Sequence, residues 1–146
     1  MPQAGPALDD LLERVRGGGG RVTRARRAVL EAFLAGGDHH LTAEEVAARV
    51  RSRHPEIHLS TVYRSLDVFE AAGVVVHVHL GHGPSVYHLT AELHHHAVCD
   101  RCGAVVELPL DVLDDLAARL RAEHGFEVTG HHFAIVGRCG ACAGGL

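Results

Sequence analysis

Two Cys-x-x-Cys pairs, Cys99/Cys102 and Cys139/Cys142, hold every cysteine of the chain and constrain its second half more than any other feature. Each pair sits on a turn just after a β-like stretch, the arrangement in which two knuckles supply four thiolates to one tetrahedral ion. The insert between the pairs exceeds that of a compact zinc ribbon and reads as one helix plus one strand, so a small α/β unit has to bring the knuckles together. Two disulfides are a rival, disfavoured because nothing indicates export. A thioredoxin-like redox pair needs a helix opening at the motif, whereas Gly103 and a valine-rich strand follow here. The expectation is a closed structural Zn(2+) site with no open position for catalysis.

The chain has 146 residues, 47% of them hydrophobic, which suits one medium domain or two small ones. No apolar run reaches the length of a bilayer span and Met1–Asp10 lacks a signal-peptide pattern, so the expected location is the cytoplasm, with no membrane partner. A net charge of −4 argues weakly against nucleic-acid binding. The distribution of that charge argues the other way. Ten Arg offset ten Asp/Glu through Gly73, and four Arg face eight acids beyond it. Six of the fourteen basic residues, all Arg, fall between Arg14 and Arg27. Such a cluster is either a solvated helix face or a phosphate footprint.

Helical periodicity begins at Leu8–Val15, and Gly17–Gly20 reads as a flexible joint. Thr23 caps a helix running to about Leu34, ended by Gly36-Gly37. Thr42 and Glu45 form a capping box on a second helix that stops near Arg53, ahead of Pro55. Ser60 caps a third, Thr61–Ala72, with Val62, Leu66 and Phe69 at helical spacing and Gly73 as its stop. The period then changes to that of strands, Val74–Leu80 and Val86–Leu89, about a turn at Gly81–Pro84. Three helices and a hairpin make a winged helix-turn-helix. The second half reads as strands His94–Val98 and Ala104–Leu108, an amphipathic helix Leu110–His124 with Leu113, Leu116, Ala117 and Leu120 inward, and a strand His131–Val136. The fold class is α+β, an N-terminal winged helix-turn-helix followed by a small α/β domain with the four-cysteine zinc site.

Fourteen histidines far exceed background, and neutral imidazole suits borderline metals. In a strand His94 and His96 point to one face and His95 to the other, and His77 and His79 alternate the same way in the wing, with His88 in its second strand. Histidines projecting from the wing towards the second domain place a regulatory metal at the inter-domain hinge. His54, His58 and His124 read as surface residues.

With these elements in hand, the chain resembles the ferric-uptake-regulator family of metal-dependent repressors. The resemblance runs from about Leu11 to Cys142. It rests on Gly20-Arg-Val-Thr23 with Arg26, Ser60-Thr-Val-Tyr-Arg-Ser-Leu66, His94-His-His-Ala-Val-Cys99-Asp-Arg-Cys102-Gly and Gly137-Arg-Cys139-Gly-Ala-Cys142. It implies a homodimer on a palindromic double-stranded DNA operator, with residues 1–89 the winged-helix domain and hinge and residues 90–146 the dimerisation and metal-binding domain. Tyr63 and Arg64, with Ser60 and Thr61 beside them, would face the major groove; Arg21, Arg24 and Arg26 would meet the backbone. The hinge site would match His40, His88, His94 and His96. A further site would match His95, Glu107 or Asp114, and His131, although Leu93 stands where many members have His. His77-Val-His79-Leu-Gly-His-Gly83 followed by His132-Phe-Ala-Ile looks most like the nickel-responsive branch, in which His77, His79 and His132 would bind Ni(2+). Zn(2+), Fe(2+) and Mn(2+) are the alternatives. Where many members carry Thr-Pro-Gln-Arg this chain has Thr23-Arg-Ala-Arg26, which adds positive charge.

Two other classes compete. A zinc hydrolase with Glu107 as base would need three ligands, an open position and a placed carboxylate. No His-Glu-x-x-His motif is present, and no enzyme is expected. A metal buffer without specific DNA affinity is opposed by Tyr63-Arg64 on a capped helix and by the Arg14–Arg27 cluster. The reading is a metal-responsive repressor of metal-homeostasis genes.

Overall fold

Local side-chain chemistry sets the helix boundaries of the first half. In the computed structural model, which describes residues 6–35, 40–79, 84–90, 94–129 and 133–144, α1 spans Leu8–Gly17 and α2 Arg24–Leu34. Thr23 is extended, and its hydroxyl accepts the Arg26 N–H at 3.2 Å. Helix α3 (Ala43–Arg53) carries the complete capping box: the Glu45 N–H donates to Thr42 Oγ1 at 3.1 Å and the Thr42 N–H to Glu45 Oε2 at 2.8 Å. Two otherwise orphaned donors are satisfied reciprocally. Gly36 and Gly37, the hairpin tip at 80–83, His131 and His132 lie outside the described residues.

Helix α4 covers Leu59–Ala71, beginning before the expected Ser60 cap. His58 is the extended residue, and its carbonyl accepts from Thr61 and Val62. The turn after Pro55 decides this: the Ile57 N–H bonds the His54 carbonyl and Ile57 is buried, so the chain enters the helix sooner. Gly73, at φ +69°, takes the left-handed conformation that stops the helix. Strands β1 (Val75–His79) and β2 (Ser85–Leu89) pair as a two-stranded sheet. Leu41 bridges antiparallel to Tyr87, through N–H to carbonyl bonds of 3.2 and 2.7 Å.

The chain divides into two compact units, Met1–His77 with Pro84–Glu92, and Val78–Gly83 with Leu93–Leu146. The first has a true core in which Leu11, Val29, Leu30, Phe33, Leu66 and Phe69 are essentially inaccessible. The glycine run is no joint. Helix α1 continues through Gly17, and a Cβ on Gly18 would lie 2.8 Å from Ala72 Cβ, one on Gly20 2.9 Å from Val15 Cγ1 and Val68 Cγ1. Glycine is there because two helices approach too closely for a side chain. Arg14, at the end of α1, donates to the Gly73 carbonyl at 2.6 Å and to Thr90 Oγ1 at 3.2 Å.

The second unit is built on a three-stranded sheet ordered β4 (Val105–Leu108), β3 (His95–Cys99), β5 (Ala134–Gly137). Strand β3 runs antiparallel to β4 and parallel to β5. Between β4 and β5 come a 3₁₀ turn at Leu110–Leu113 and helix α5 (Asp114–His124), the crossover a parallel pair requires. Gly125, at φ +60°, ends α5: its N–H bonds the Arg121 carbonyl and that of Phe126 the Leu120 carbonyl. The expected inward face of this helix is not buried within the chain. Leu116 is 52% exposed and no α5 residue is buried. Val105, Val106, Ile135, Val136 and Phe126 are exposed as well. A unit this small cannot cover both faces of its sheet by itself. No helix among the described residues is long and apolar enough to cross a membrane.

Candidate functional site

Parallel pairing of β3 with β5 brings the knuckles together. Cys99 lies opposite Gly137 in register, so both strands deliver their turns to the same end of the sheet. The Asp100 N–H bonds the Gly137 carbonyl at 2.8 Å, and Arg138 pairs with Asp100 at 3.6 Å. Cys139 then precedes the one-turn helix α6 (Gly140–Ala143), whose first bonds, from Cys142 and Ala143, return to the Cys139 carbonyl. The four sulfur atoms lie within 4.8 Å of one another, and Cys102 and Cys139 are 3.7 Å apart. All four are free thiols. A tetrahedral zinc about 2.3 Å from each sulfur spaces sulfurs ~3.8 Å apart, so the residues fit the ion.

Electrostatics point the same way. Backbone N–H groups of Cys139, Cys102 and Arg101 hold the Cys99 thiol down to about 6. Cys142 is pushed up to about 12, first by Cys139 and then by Cys102. At Cys102 the Ala104 N–H favours the thiolate, but the neighbouring thiols of Cys99 and Cys139 outweigh it and the net shift is upward. Four thiols this close cannot all ionise unless a cation offsets them.

Imidazoles gather in each unit. In the first, the Leu41–Tyr87 bridge sets His40 directly opposite His88, and their ring centroids are 4.7 Å apart. His88 is fully buried. In the second, His94 and His96 share a face as strand alternation requires, with centroids 4.5 Å apart and His96 fully buried. Glu107 lies opposite His96 in the β3–β4 register and so belongs to this face, its Oε1 3.4 Å from His94 Nε2. His77, on β1, is half-exposed and its Nδ1 sits against the Glu70 carboxylate of α4. His79 is exposed.

The β3–β4 register separates His95 from Glu107. The two side chains belong to opposite faces of β3–β4, and His95 is occupied on both nitrogens. Its Nδ1 accepts the Phe133 N–H at 3.1 Å, which puts the proton on Nε2, 3.1 Å from the Leu110 carbonyl. In this tautomer the ring's one available lone pair, on Nδ1, is already engaged. Asp114 is exposed at the start of α5, and among the described residues His95, Glu107 and Asp114 form no ligand set. We expect His95→Ala to lower thermal stability by about 1–3 kcal/mol, because the Phe133 N–H loses its acceptor. Zinc content and metal-dependent DNA binding should stay unchanged, as metal analysis and anisotropy would verify.

On the predicted recognition helix α4, Ser60, Tyr63 and Arg64 are exposed and Thr61 is partly so, while Val62, Leu66 and Phe69 fill the core. The Tyr63 hydroxyl donates to Glu44 Oε1 on α3 at 2.9 Å. That hydrogen bond, more than burial, raises the phenol above its ordinary range. Among the arginines, Arg21 is exposed and its carbonyl accepts from Arg26 Nη1 at 2.5 Å. Arg24 is exposed, with Glu56 at 3.5 Å. Sequence reasoning missed Glu44 and Glu70. Glu44 carries a first-turn signal beside the capping box, whereas Glu70 carries none.

The ferric uptake regulator family model matches residues 18–136. A ferric uptake regulation protein of Bacillus subtilis is 33% identical over 141 residues, covering 94% of this chain and 95% of that one. Among solved structures, the ferric uptake regulator of Vibrio cholerae is 34% identical, with a TM-score of 0.70 over 87% of this chain and 98% of its own. That of Pseudomonas aeruginosa, solved with manganese, is 29% identical with a TM-score of 0.73, covering 88% and 96%.

Proposed function

Because the chain belongs to the ferric uptake regulator family of metal-responsive transcription regulators, we propose that it is a cytoplasmic homodimeric repressor that grips a palindromic operator when nickel fills its regulatory site. The observation that carries the reading is the pairing of imidazoles in each unit, His40 with His88 and His94 with His96, in a chain that also presents Tyr63 and Arg64 on an exposed helix face. We assign DNA binding to residues 1–89 and dimerisation to residues 90–146. The uncovered apolar side chains of the second unit support a second copy as their cover.

In this reading Cys99, Cys102, Cys139 and Cys142 hold a permanent zinc that supplies cross-linking and no chemistry. His40, His88, His94 and His96, with His77, His79 and His132, are the regulatory ligands. His40, His88, His94 and His96 make one set and His77, His79 and His132 another, and metal shifts the population by its differential affinity for the conformation that brings a set together. Moving from mostly open to mostly closed takes about 10⁴-fold preference, roughly 5.5 kcal/mol. In the closed dimer two recognition helices about 34–36 Å apart would meet successive major grooves. Arg21, Arg24 and Arg26 would bind phosphates and make affinity salt-dependent.

Nickel rests on the resemblance of His77-Val-His79 and His132 to the nickel-responsive branch. A second reading, the same switch answering to manganese, iron or zinc, is favoured by the manganese in the Pseudomonas aeruginosa relative. Imidazole-rich sites follow the Irving–Williams order, so availability in the cell would decide among them. The test is anisotropy of labelled promoter DNA, from the chain's own upstream region and a neighbouring transporter gene, against zinc-loaded protein in buffered Ni²⁺, Zn²⁺, Fe²⁺ or Mn²⁺. Activation by nickel at the lowest free concentration relative to its cellular level supports the first reading, and activation by another metal moves it to the second. Metal binding without DNA binding would make the chain a buffer. Arg64→Ala should weaken operator binding by about 1–3 kcal/mol with zinc content unchanged, since a bidentate base contact is worth that much.

A further inference from the structure

Tyr63 is exposed and yet its hydroxyl is committed. The single proton of that hydroxyl points to Glu44 Oε1, at 2.9 Å, from the first turn of the preceding helix. A phenol has one proton to give and two lone pairs to receive with. Once the proton is engaged by a carboxylate, only acceptor character remains at the outward side of the oxygen. Glu44 is itself held, since it belongs to the first turn of α3, where acids are favoured by the positive helix end and where the Thr42–Glu45 box fixes the backbone.

From this arrangement we infer that Glu44 is a specificity-determining positioning residue: by taking the Tyr63 proton it makes Tyr63 an acceptor-only reader of the operator. The inference rests on the reading that α4 lies in the major groove. There the four bases differ in polarity at their edges. Adenine N6 and cytosine N4 offer amine donors, whereas guanine O6 and N7 and thymine O4 are acceptors. An acceptor-only oxygen bonds the first two and repels the others. The Glu44 carboxylate reinforces the choice, because its own charge disfavours acceptor edges near the same spot. A free tyrosine hydroxyl would rotate to donate or accept and would discriminate little.

The experiment is selection from a pool of randomised palindromic duplexes with full-length, metal-loaded protein, comparing the unmodified chain with Glu44→Ala, Tyr63→Phe, Tyr63→Ala and the Glu44→Ala/Tyr63→Phe pair. At one position of each half-site the unmodified chain should prefer A or C over G or T by roughly 2- to 12-fold, the equivalent of one net hydrogen bond. Glu44→Ala should flatten that preference while other positions keep theirs, which loss of folding would not do. In the Tyr63→Phe background Glu44→Ala should change nothing further at that position. A preference that survives Glu44→Ala, or one that Glu44→Ala alters equally in the Phe background, overturns the inference. The major-groove reading fails separately, if Tyr63→Ala binds every duplex as the unmodified chain does.

Discussion

A Cys99→Ser chain should purify with almost no zinc, with its second unit unfolded and with no dimer. The cause lies in the size of that unit. It buries few apolar side chains, chiefly Val98 and Cys99 on β3, and leaves Val105, Val106, Leu116, Ile135 and Val136 exposed. Burial on that scale does not offset the entropy of ordering the segment. Structural zinc contributes an apparent 10–16 kcal/mol, roughly, in small domains at pH 7, so losing one of four thiolates removes the largest favourable contribution the unit has. Metal analysis together with gel filtration reads the result, and a Cys99→Ser protein that stays zinc-loaded and dimeric would end the staple assignment. Acid should act in the same direction. Without metal, Cys142 is pushed up to about 12 and Cys102 is raised, so both hold their protons at neutral pH. Zinc must displace those protons on binding. Falling pH therefore drives zinc out, and the stability it confers is present at neutral pH and lost on the acid side.

Replacing His77 and His79 together by Ala should abolish nickel activation of operator binding, by as much as ~10⁴-fold if the switch runs from mostly open to mostly closed, while zinc content and dimer persist. These replacements remove the pairing of His77 with Glu70, at an exposed position where such a pair is worth about 0–1 kcal/mol. Neither side chain belongs to the core, so folding should survive. Anisotropy at buffered nickel separates the outcomes: a double variant that still responds at the same free nickel would refute the nickel assignment and leave the family untouched. A variant answering normally to manganese or iron but deaf to nickel would instead support a wing site specific for nickel.

What could be read from the residues alone was whatever depends on near neighbours. The Thr42–Glu45 capping box, the Thr23 cap and the Gly73 stop are decided within a helical turn, and each stands where its chemistry put it. The four thiols were legible because so few arrangements use two knuckles. Longer-range facts were hidden. The duty of His95 to the backbone exists only because residues 133–137 return beside β3, and the face of Glu107 follows from a strand register that no local pattern encodes. The start of α4 shifted because Ile57 buries and draws the chain into its helix early. The glycine run looked loose since its neighbours, Ala72 and Val68, lie far along the chain. The α5 leucines looked inward because amphipathic spacing cannot tell a chain's own core from a partner's surface.

The parallel seam between β3 and β5 also sets an order of events. Residues 96–99 leave the ribosome well before residues 134–137, so through that interval β3 has only β4 beside it and Cys99 and Cys102 have half a ligand set. Pairings between distant segments are slow, and an unpaired strand edge exposed during synthesis invites the wrong partner. The helical first unit, with its nearer contacts, can be complete by then. On the proposed assignment of DNA binding to the first unit and dimerisation to the second, a newly made chain would have its DNA-reading end before the second knuckle arrives to complete the zinc site. On the same assignment, a cell short of zinc would accumulate chains whose second unit is unfinished.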